Sequence, residues 1–349
     1  MRCFVLLLSC IFILLNCGRN YEQIGVFSVK YGKGYKEITD GIGRAFILVS
    51  DNKKDTSEYR KDRIIKIPVK KVIVYSTYNA ALIKQLGHVN SIVGVVVQKK
   101  YWYIPEIKKG LEQGKITYLG QYNAIDYEKL RSLKPDLVLT WDEGIVPKLE
   151  ELGIPCVITC TRFAPDLKDR IKFILFLSVF YNEEKKAKSF IKDQFHQIKQ
   201  ISHRLKNIKF KPKVIWGDIY PRKVLVEPGN SWAAQSVEKA GGDYLFNDLE
   251  GASCMQITVE KFFARAKNAD ILITYRGPEV GITSKKAFRQ STELLKVVDI
   301  KPLNKGKIYF TGWRIWESAD TAGVIYELAS IFHPKLFPIQ EHRYFFELK

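Results

Sequence analysis

Short apolar runs bounded by turn residues alternate along this chain with stretches whose apolar positions recur at helical spacing. IIKIPVKKVIVYST reads as a buried strand, NAALIKQLG as a helix ended by Gly87, and SIVGVVV as another short strand. The series then continues. Tyr127 to Leu133 predicts a helix, PDLVLTW a strand opened by Pro135, IVPKLEELG a helix and IPCVITC a strand. Strands alternating with helices imply right-handed crossovers and a parallel sheet covered on both faces.

The rhythm breaks at Asn182. NEEKKAKSFIKDQFHQIKQISHRLKN contains no glycine or proline, places Asn182 as an N-cap, and sets Glu183 and Glu184 in the first turn, where they suit the helix dipole. Ala187, Phe190, Ile191, Phe195, Ile198 and Ile201 recur at helical spacing, so one long rod is expected over residues 182–207. A second α/β series follows: KVIWGDIY, KVLVEP, WAAQSVEKAGG, VEKFFARAKNA, DILITYRG, KGKIYFTG and TAGVIYELASIF. Ahead of residue 65, YKEI and RAFILVS alternate between the turn signals YGKG, TDGIG and SDNKKD, which suggests a small β-meander. The expected organisation is a leader over 1–16, a β-rich extension over 17–64, α/β lobes over 65–181 and 208–349, and the helix between them.

Composition is consistent with two domains and adds a membrane question. The chain has 349 residues, long enough for two cores, and 46% of them are hydrophobic. In MRCFVLLLSCIFILLNC, Arg2 precedes a largely apolar run from Phe4 to Leu15, which has the layout of a secretory signal. Cys17 ends that run. Two readings stand: a signal peptide with an incidental cysteine, or a lipoprotein signal whose Cys17 carries the lipid. The second resembles the lipobox of bacterial lipoproteins, although Asn16 replaces the usual small residue. Acyl chains there would tether the protein to a membrane of the cell envelope, facing the periplasm or the exterior, without spanning it.

The remaining cysteines, Cys156, Cys160 and Cys254, show no paired metal-ligand spacing and read as packing residues, with a pairing of Cys254 left open. The net charge of +19 raises the question of nucleic acid. Lysines spread along the chain beside glutamates speak for a basic solvated surface instead, or one that attracts anionic head groups or an anionic ligand.

Taken in order, IPVKKVIVYSTYNAALIKQLGHVNSIVGV, DYEKLRSLKPDLVLT, LEELGIPCVIT, WAAQSVEKAGGDYLF and VEKFFARAKNADILIT resemble successive blocks of the ABC-importer substrate-binding proteins for iron–siderophore complexes, haem or cobalamin. The resemblance runs over residues 65–335. It implies two Rossmann-like parallel-sheet lobes bridged by one rigid helix, with a ligand cleft between lobes. It also implies a monomer that hands its ligand to an ABC permease and its ATPase. Ligands commonly meet residues just after parallel strands, which singles out Tyr75, Tyr78, Trp102, Tyr103, Trp141 and Arg162 in the first lobe. In the second lobe the same rule gives Trp216, Tyr275, Arg276, Trp313, Arg314, Trp316 and Glu317. Tyr75 reads more as core than as ligand contact, whereas Trp141, Arg314 and Trp316 follow strands in turn-like sequence.

Aromatic faces suit a macrocycle or catecholate chelate, and guanidinium groups suit its oxygens. Where cobalamin receptors carry an acidic residue before the final helix, this chain has Arg314, which favours an anionic iron complex. A siderophore fills the coordination sphere of iron, so neither a cofactor nor a protein metal site is expected. Haem would need an axial Tyr or His. The five histidines, His88, His196, His203, His333 and His342, lie away from strand ends, leaving Tyr78, Tyr103 or Tyr275 for that role.

The family docks on its permease through one exposed Glu per lobe, and the matching positions are Glu128 and Glu238. An enzyme of chelatase-like outline is the alternative of another class, and a surface adhesin is a third. Against catalysis, the chain contains no G-x-S-x-G, no G-x-x-x-x-G-K-[ST], no H-E-x-x-H and no G-x-G-x-x-G after a strand.

Overall fold

The computed structural model describes residues 20–50, 56–160 and 166–349, so the apolar leader, Cys17 and Arg162 lie outside the described residues. Among the described residues two compact units emerge, one of those up to residue 160 with Lys172–Ala187 and one of residues 166–171 with Lys188–Lys349. Their division falls inside two helices, Leu167–Ser178 and Glu184–Arg204. No helix among the described residues is long and apolar enough to cross a membrane.

The first unit contains two sheets. Strands β1 (Tyr21–Ile24), β2 (Phe27–Tyr31), β3 (Tyr35–Thr39) and β4 (Ala45–Val49) form an antiparallel meander, and β5 (Ile64–Lys66) adds to β4 in parallel. The second sheet is wholly parallel: β6 (Val72–Val74), β7 (Ile92–Val95), β8 (Thr117–Tyr118), β9 (Leu137–Thr140) and β10 (Cys156–Ile158), in the order β10-β9-β6-β7-β8. All four residues of β9 are buried, as a strand covered on both faces requires. The helix Thr77–Gln85 starts at an N-cap, Ser76, and gives way at Gly87, whose φ of 88° is costly for any residue with a Cβ.

IIKIPVKKVIVYST is two strands rather than one. Ile64–Lys66 pairs with the meander and Val72–Val74 with the parallel sheet, with Pro68 in the connection. Proline lacks the N–H that a continuous central strand would use, so the run divides there.

The meander is joined to its unit by polar as well as apolar contacts. Phe27 meets Phe173 and Phe176 at 4.9 Å each. The buried Asp40 carboxylate accepts from the Arg44 guanidinium (2.7 Å) and from the Ile158 amide (3.1 Å), and Arg44 also donates to the Cys156 carbonyl (2.7 Å). Lys36 donates to Asn182 Oδ1 at 2.7 Å and pairs with Glu184 at the start of the long helix.

That helix spans Glu184–Arg204, 21 residues. Asn182 is not its N-cap: its φ of 60° is left-handed, whereas an N-cap residue is extended, and Lys36 holds its side chain. Asparagine tolerates this conformation better than most residues. Ile198 and Ile201 bury their side chains in the core of the second unit, as the helical spacing requires.

The second unit builds one mixed sheet. Strands β11 (Lys213–Tyr220), β13 (Asp243–Tyr244), β15 (Ile271–Thr274) and β16 (Lys307–Thr311) run parallel. Antiparallel to their neighbours are β12 (Lys223–Val226), β14 (Met255–Ile257) and β17 (Phe345–Glu347). The second series therefore contains a hairpin, β11–β12, where the sequence rhythm alone suggests crossovers. Cys156, Cys160 and Cys254 are free thiols, and burial raises the Cys156 thiol to about 12 and the Cys254 thiol to about 11.

Candidate functional site

Parallel strands end with their residues on one edge of a sheet, and in each unit that edge carries aromatic side chains. In the first unit Tyr75 follows β6 and Trp141 follows β9. Their rings meet edge to face at 6.5 Å, and Tyr122 tilts onto Trp141 at 4.8 Å. Trp141 is half-buried and Tyr122 exposed. Tyr122 was not legible as part of this cluster because it lies in a loop, QYNA, after a strand of only two residues, Thr117–Tyr118, too short to show as an apolar run.

The fully buried Asn79 donates to Thr159 Oγ1 at 2.5 Å, and that hydroxyl donates to the Thr140 carbonyl at 3.3 Å, tying the ends of β9 and β10 together. The Tyr75 hydroxyl and Asn79 Oδ1 are both buried without a hydrogen-bond partner. Burial pushes the Tyr75 hydroxyl well above its ordinary pKa, so it stays protonated.

Tyr103 is exposed, with the Lys108 ammonium 5.8 Å from its ring centre. Trp102 and Tyr78 are corrections to the expected ligand set. Trp102 is fully buried and donates its indole N–H to the Val97 carbonyl at 2.9 Å, so it anchors its own loop. Tyr78 is buried on the helix Thr77–Gln85.

The second unit arranges its edge around β15 and β16. Tyr275 follows β15, and Trp316 lies on the four-residue helix Arg314–Glu317 just after β16, with ring centres 6.3 Å apart. Trp313 and Trp316 are 41% and 36% exposed, and Arg314 is exposed beside them. The Tyr275 hydroxyl donates to the buried Glu227 carboxylate. Burial raises the Glu227 carboxyl above its ordinary value, against the hydrogen bonds from Tyr275 and Ser231. Glu227 was missed in sequence because nothing in KVLVEP announces a partner 48 residues away.

Three further expectations change. Trp216 is fully buried inside β11, edge to face with Trp232 and Phe345, so it is core. Arg276 is committed internally: it donates to Asp218 (2.9 Å) and to the Ile219 carbonyl (2.7 Å), and Thr274 gives Asp218 a further hydrogen bond (2.7 Å). A guanidinium so used, over the rings of Tyr220 and Phe288, braces the strand end instead of offering its donors to solvent. Glu317 is buried, which removes it from the exposed edge. Arg170, absent from the sequence-based candidates, is buried and stacks 4.0 Å over Trp232.

Glu128 and Glu238 are both exposed, on helices Tyr127–Ser132 and Trp232–Lys239 capped by Asp126 and Ser231. Among the described residues no group of three or more His, Cys, Asp or Glu is placed to hold a metal ion.

The model of a family described as periplasmic binding protein matches residues 72–311. An uncharacterised lipoprotein of Methanocaldococcus jannaschii is 27% identical over 330 residues, covering 89% of this chain and 78% of that protein. A vitamin B12-binding protein of Vibrio vulnificus is 23% identical over 207 residues, covering 58% of this chain and 70% of that protein. Among solved structures, a periplasmic haem-binding protein from Pseudomonas aeruginosa superposes with a TM-score of 0.63 at 14% identity, over 80% of this chain and 98% of that one. That likeness is one of fold.

Proposed function

The chain belongs to the periplasmic binding protein family and is the substrate-binding protein of an ABC transporter, and from that premise we propose that it captures an iron complex, a ferric siderophore or haem, for delivery to a membrane permease. It is a binding protein and not an enzyme. The observation that carries the reading is the pairing of exposed aromatic surface with a cation at the strand ends: Trp313 and Trp316 flank Arg314, all on one short segment after β16. Indole faces cover flat apolar ligand surface, and a guanidinium meets catecholate or propionate oxygens in paired hydrogen bonds. Trp141 and Tyr122 offer the same kind of face in the first unit.

A corrinoid is the second reading, favoured by the similarity to a vitamin B12-binding protein. The absorption spectrum and mass of whatever co-purifies, followed by titration with haemin, a ferric catecholate and cyanocobalamin, decide between them. Binding of an iron complex supports the proposal. Binding of cyanocobalamin alone overturns it.

Membrane attachment belongs to the same proposal. Cys17 carries the lipid, a reading supported by the relative's description as a lipoprotein. Cys17→Ser is expected to release the protein, with its fold intact, from membranes washed at high salt, where electrostatic attachment is screened, and full retention of a signal-cleaved variant through that wash would refute the anchor.

A further inference from the structure

A second surface of the C-terminal unit is built for a different contact. Between Gln194 and Pro212 the sequence holds Lys199, Arg204, Lys206, Lys209 and Lys211 and no aspartate or glutamate. Lys206, Lys209 and Lys211 are exposed, and none of them is engaged in an ion pair. Between two of these lysines stands Phe210, 65% exposed.

The turn Lys335–Leu336 lies against this segment. Arg204 donates to the Leu336 carbonyl and rests 4.2 Å from the centre of the Phe337 ring. Ile208 and His333 both close on Gly241, where an added Cβ would stand 2.9 Å from Ile208 Cδ1 and 2.7 Å from His333 Nε2. The His333 ring nitrogen is 3.1 Å from the Gly241 carbonyl. These contacts hold residues 204–208 and 333–337 together, which sets Lys335 and Leu336, 40% exposed, beside the segment that runs on from Ile208 to Phe210.

The end of the long helix is wound tightly into the loop by bonds from the Lys206 amide to the His203 carbonyl and from the Ile208 amide to the Leu205 carbonyl, 3.2 Å each. Carboxylates are present at the margin: Glu238 is bonded through its carbonyl to the Gly241 amide, and the Asp243 amide to the Pro212 carbonyl. Asp320, Glu327 and Glu341 line a cavity with Lys199 and Arg204, so the patch itself rests on Lys206, Lys209, Lys211 and Lys335.

We propose that Lys206, Lys209, Phe210, Lys211, Lys335 and Leu336 form a surface that binds the anionic head groups of a lipid bilayer. The lysines approach head-group phosphates while their methylene stems lie along the apolar side chains, and Phe210 and Leu336 enter the interfacial layer. A duplex nucleic acid or an acidic protein would also attract the lysines, but neither calls for two apolar side chains projecting among them. The description of a relative as a lipoprotein places this class of chain beside a bilayer. The patch contains none of the strand-end residues assigned to the ligand, so the two proposals stand or fall separately.

The test uses the full chain carrying Cys17→Ser, which removes the acylation site, sedimented with vesicles of phosphatidylcholine or of phosphatidylcholine mixed with phosphatidylglycerol. Neutral vesicles report what the apolar N-terminal run contributes. Preferential binding to the anionic vesicles, weakened by salt, is expected. Lys206→Gln, Lys209→Gln and Lys211→Gln together should lower that partition about a hundred-fold. Phe210→Ser should weaken it while leaving its dependence on salt unchanged. Equal binding to both kinds of vesicle, or unchanged binding of the triple variant, overturns the proposal. Lysine-dependent binding to duplex DNA or polyglutamate with no preference for anionic vesicles overturns it too, and assigns the patch to another polyanion.

Discussion

Replacing Trp316 with alanine tests the strand-end cluster most directly, because the structure sets both of its consequences. The side chain is 36% exposed, and the rest of its surface is covered, in part by Tyr275. A tryptophan buries on the order of 150–250 Å2 when fully covered. The exposed part is therefore about 55–90 Å2, worth about 1.4–2.2 kcal/mol if a ligand covers it at 25 cal/mol per Å2. Affinity should fall about ten- to forty-fold. The covered part supports the fold, so the melting temperature should fall as well, and binding must be measured well below it. Trp316→Phe keeps a ring beside Tyr275 and should lose less of both. The assay is fluorescence titration of each variant with haemin, a ferric catecholate and cyanocobalamin. If Trp316→Ala binds its ligand as the parent does while melting earlier, Trp316 is a packing residue and the proposed site is misplaced.

Glu227 should make stability depend on pH: burial raises its folded-state carboxyl pKa above the ordinary 4.5, so its contribution is fully present below that value and is lost as pH rises through the raised one. Thermal melts across that range should show the parent losing stability relative to Glu227→Gln, and parallel curves would remove Glu227 as the cause. The Tyr75 hydroxyl is buried without a partner, so Tyr75→Phe should leave the free protein as stable or more stable by about 1 kcal/mol, as judged by urea unfolding. A loss of stability would mean the hydroxyl has a partner in solution. If Glu128 and Glu238 dock the permease as the family resemblance implies, Glu128→Lys with Glu238→Lys should leave ligand affinity unchanged and sharply reduce uptake in cells, because each reversal would replace an attraction with a repulsion at that contact. Normal uptake by the double variant would end the docking assignment.

Several features were legible from local pattern because local physics produces them. Buried strands such as Leu137–Thr140 are continuous apolar runs, and the helix Glu184–Arg204 keeps its apolar positions at helical spacing and excludes glycine and proline. The order of these elements, matched over residues 72–311, identified the family. The exposed tryptophans Trp313 and Trp316 were also within reach, since a tryptophan beside glycine and charged residues after a strand is rarely core.

What the pattern left undecided was which side of each backbone faces protein and which distant residue meets it there. Trp216 and Trp141 both belong to strand-rich stretches, yet Trp216 lies within β11, covered on both faces, and Trp141 lies beyond the end of β9. Arg276 and Tyr275 resembled free ligand contacts until the sheet brought Asp218 and Glu227 to them from 58 and 48 residues away. IIKIPVKKVIVYST resembled one strand until the meander and the parallel sheet each took part of it. Asp40 reaches the Ile158 amide across 118 residues, a contact no local window contains. A sequence specifies period and propensity within a turn or a strand. Burial and hydrogen-bond partnership arise only when separated segments share a surface, because a buried charge or N–H must find its partner wherever the fold has brought one.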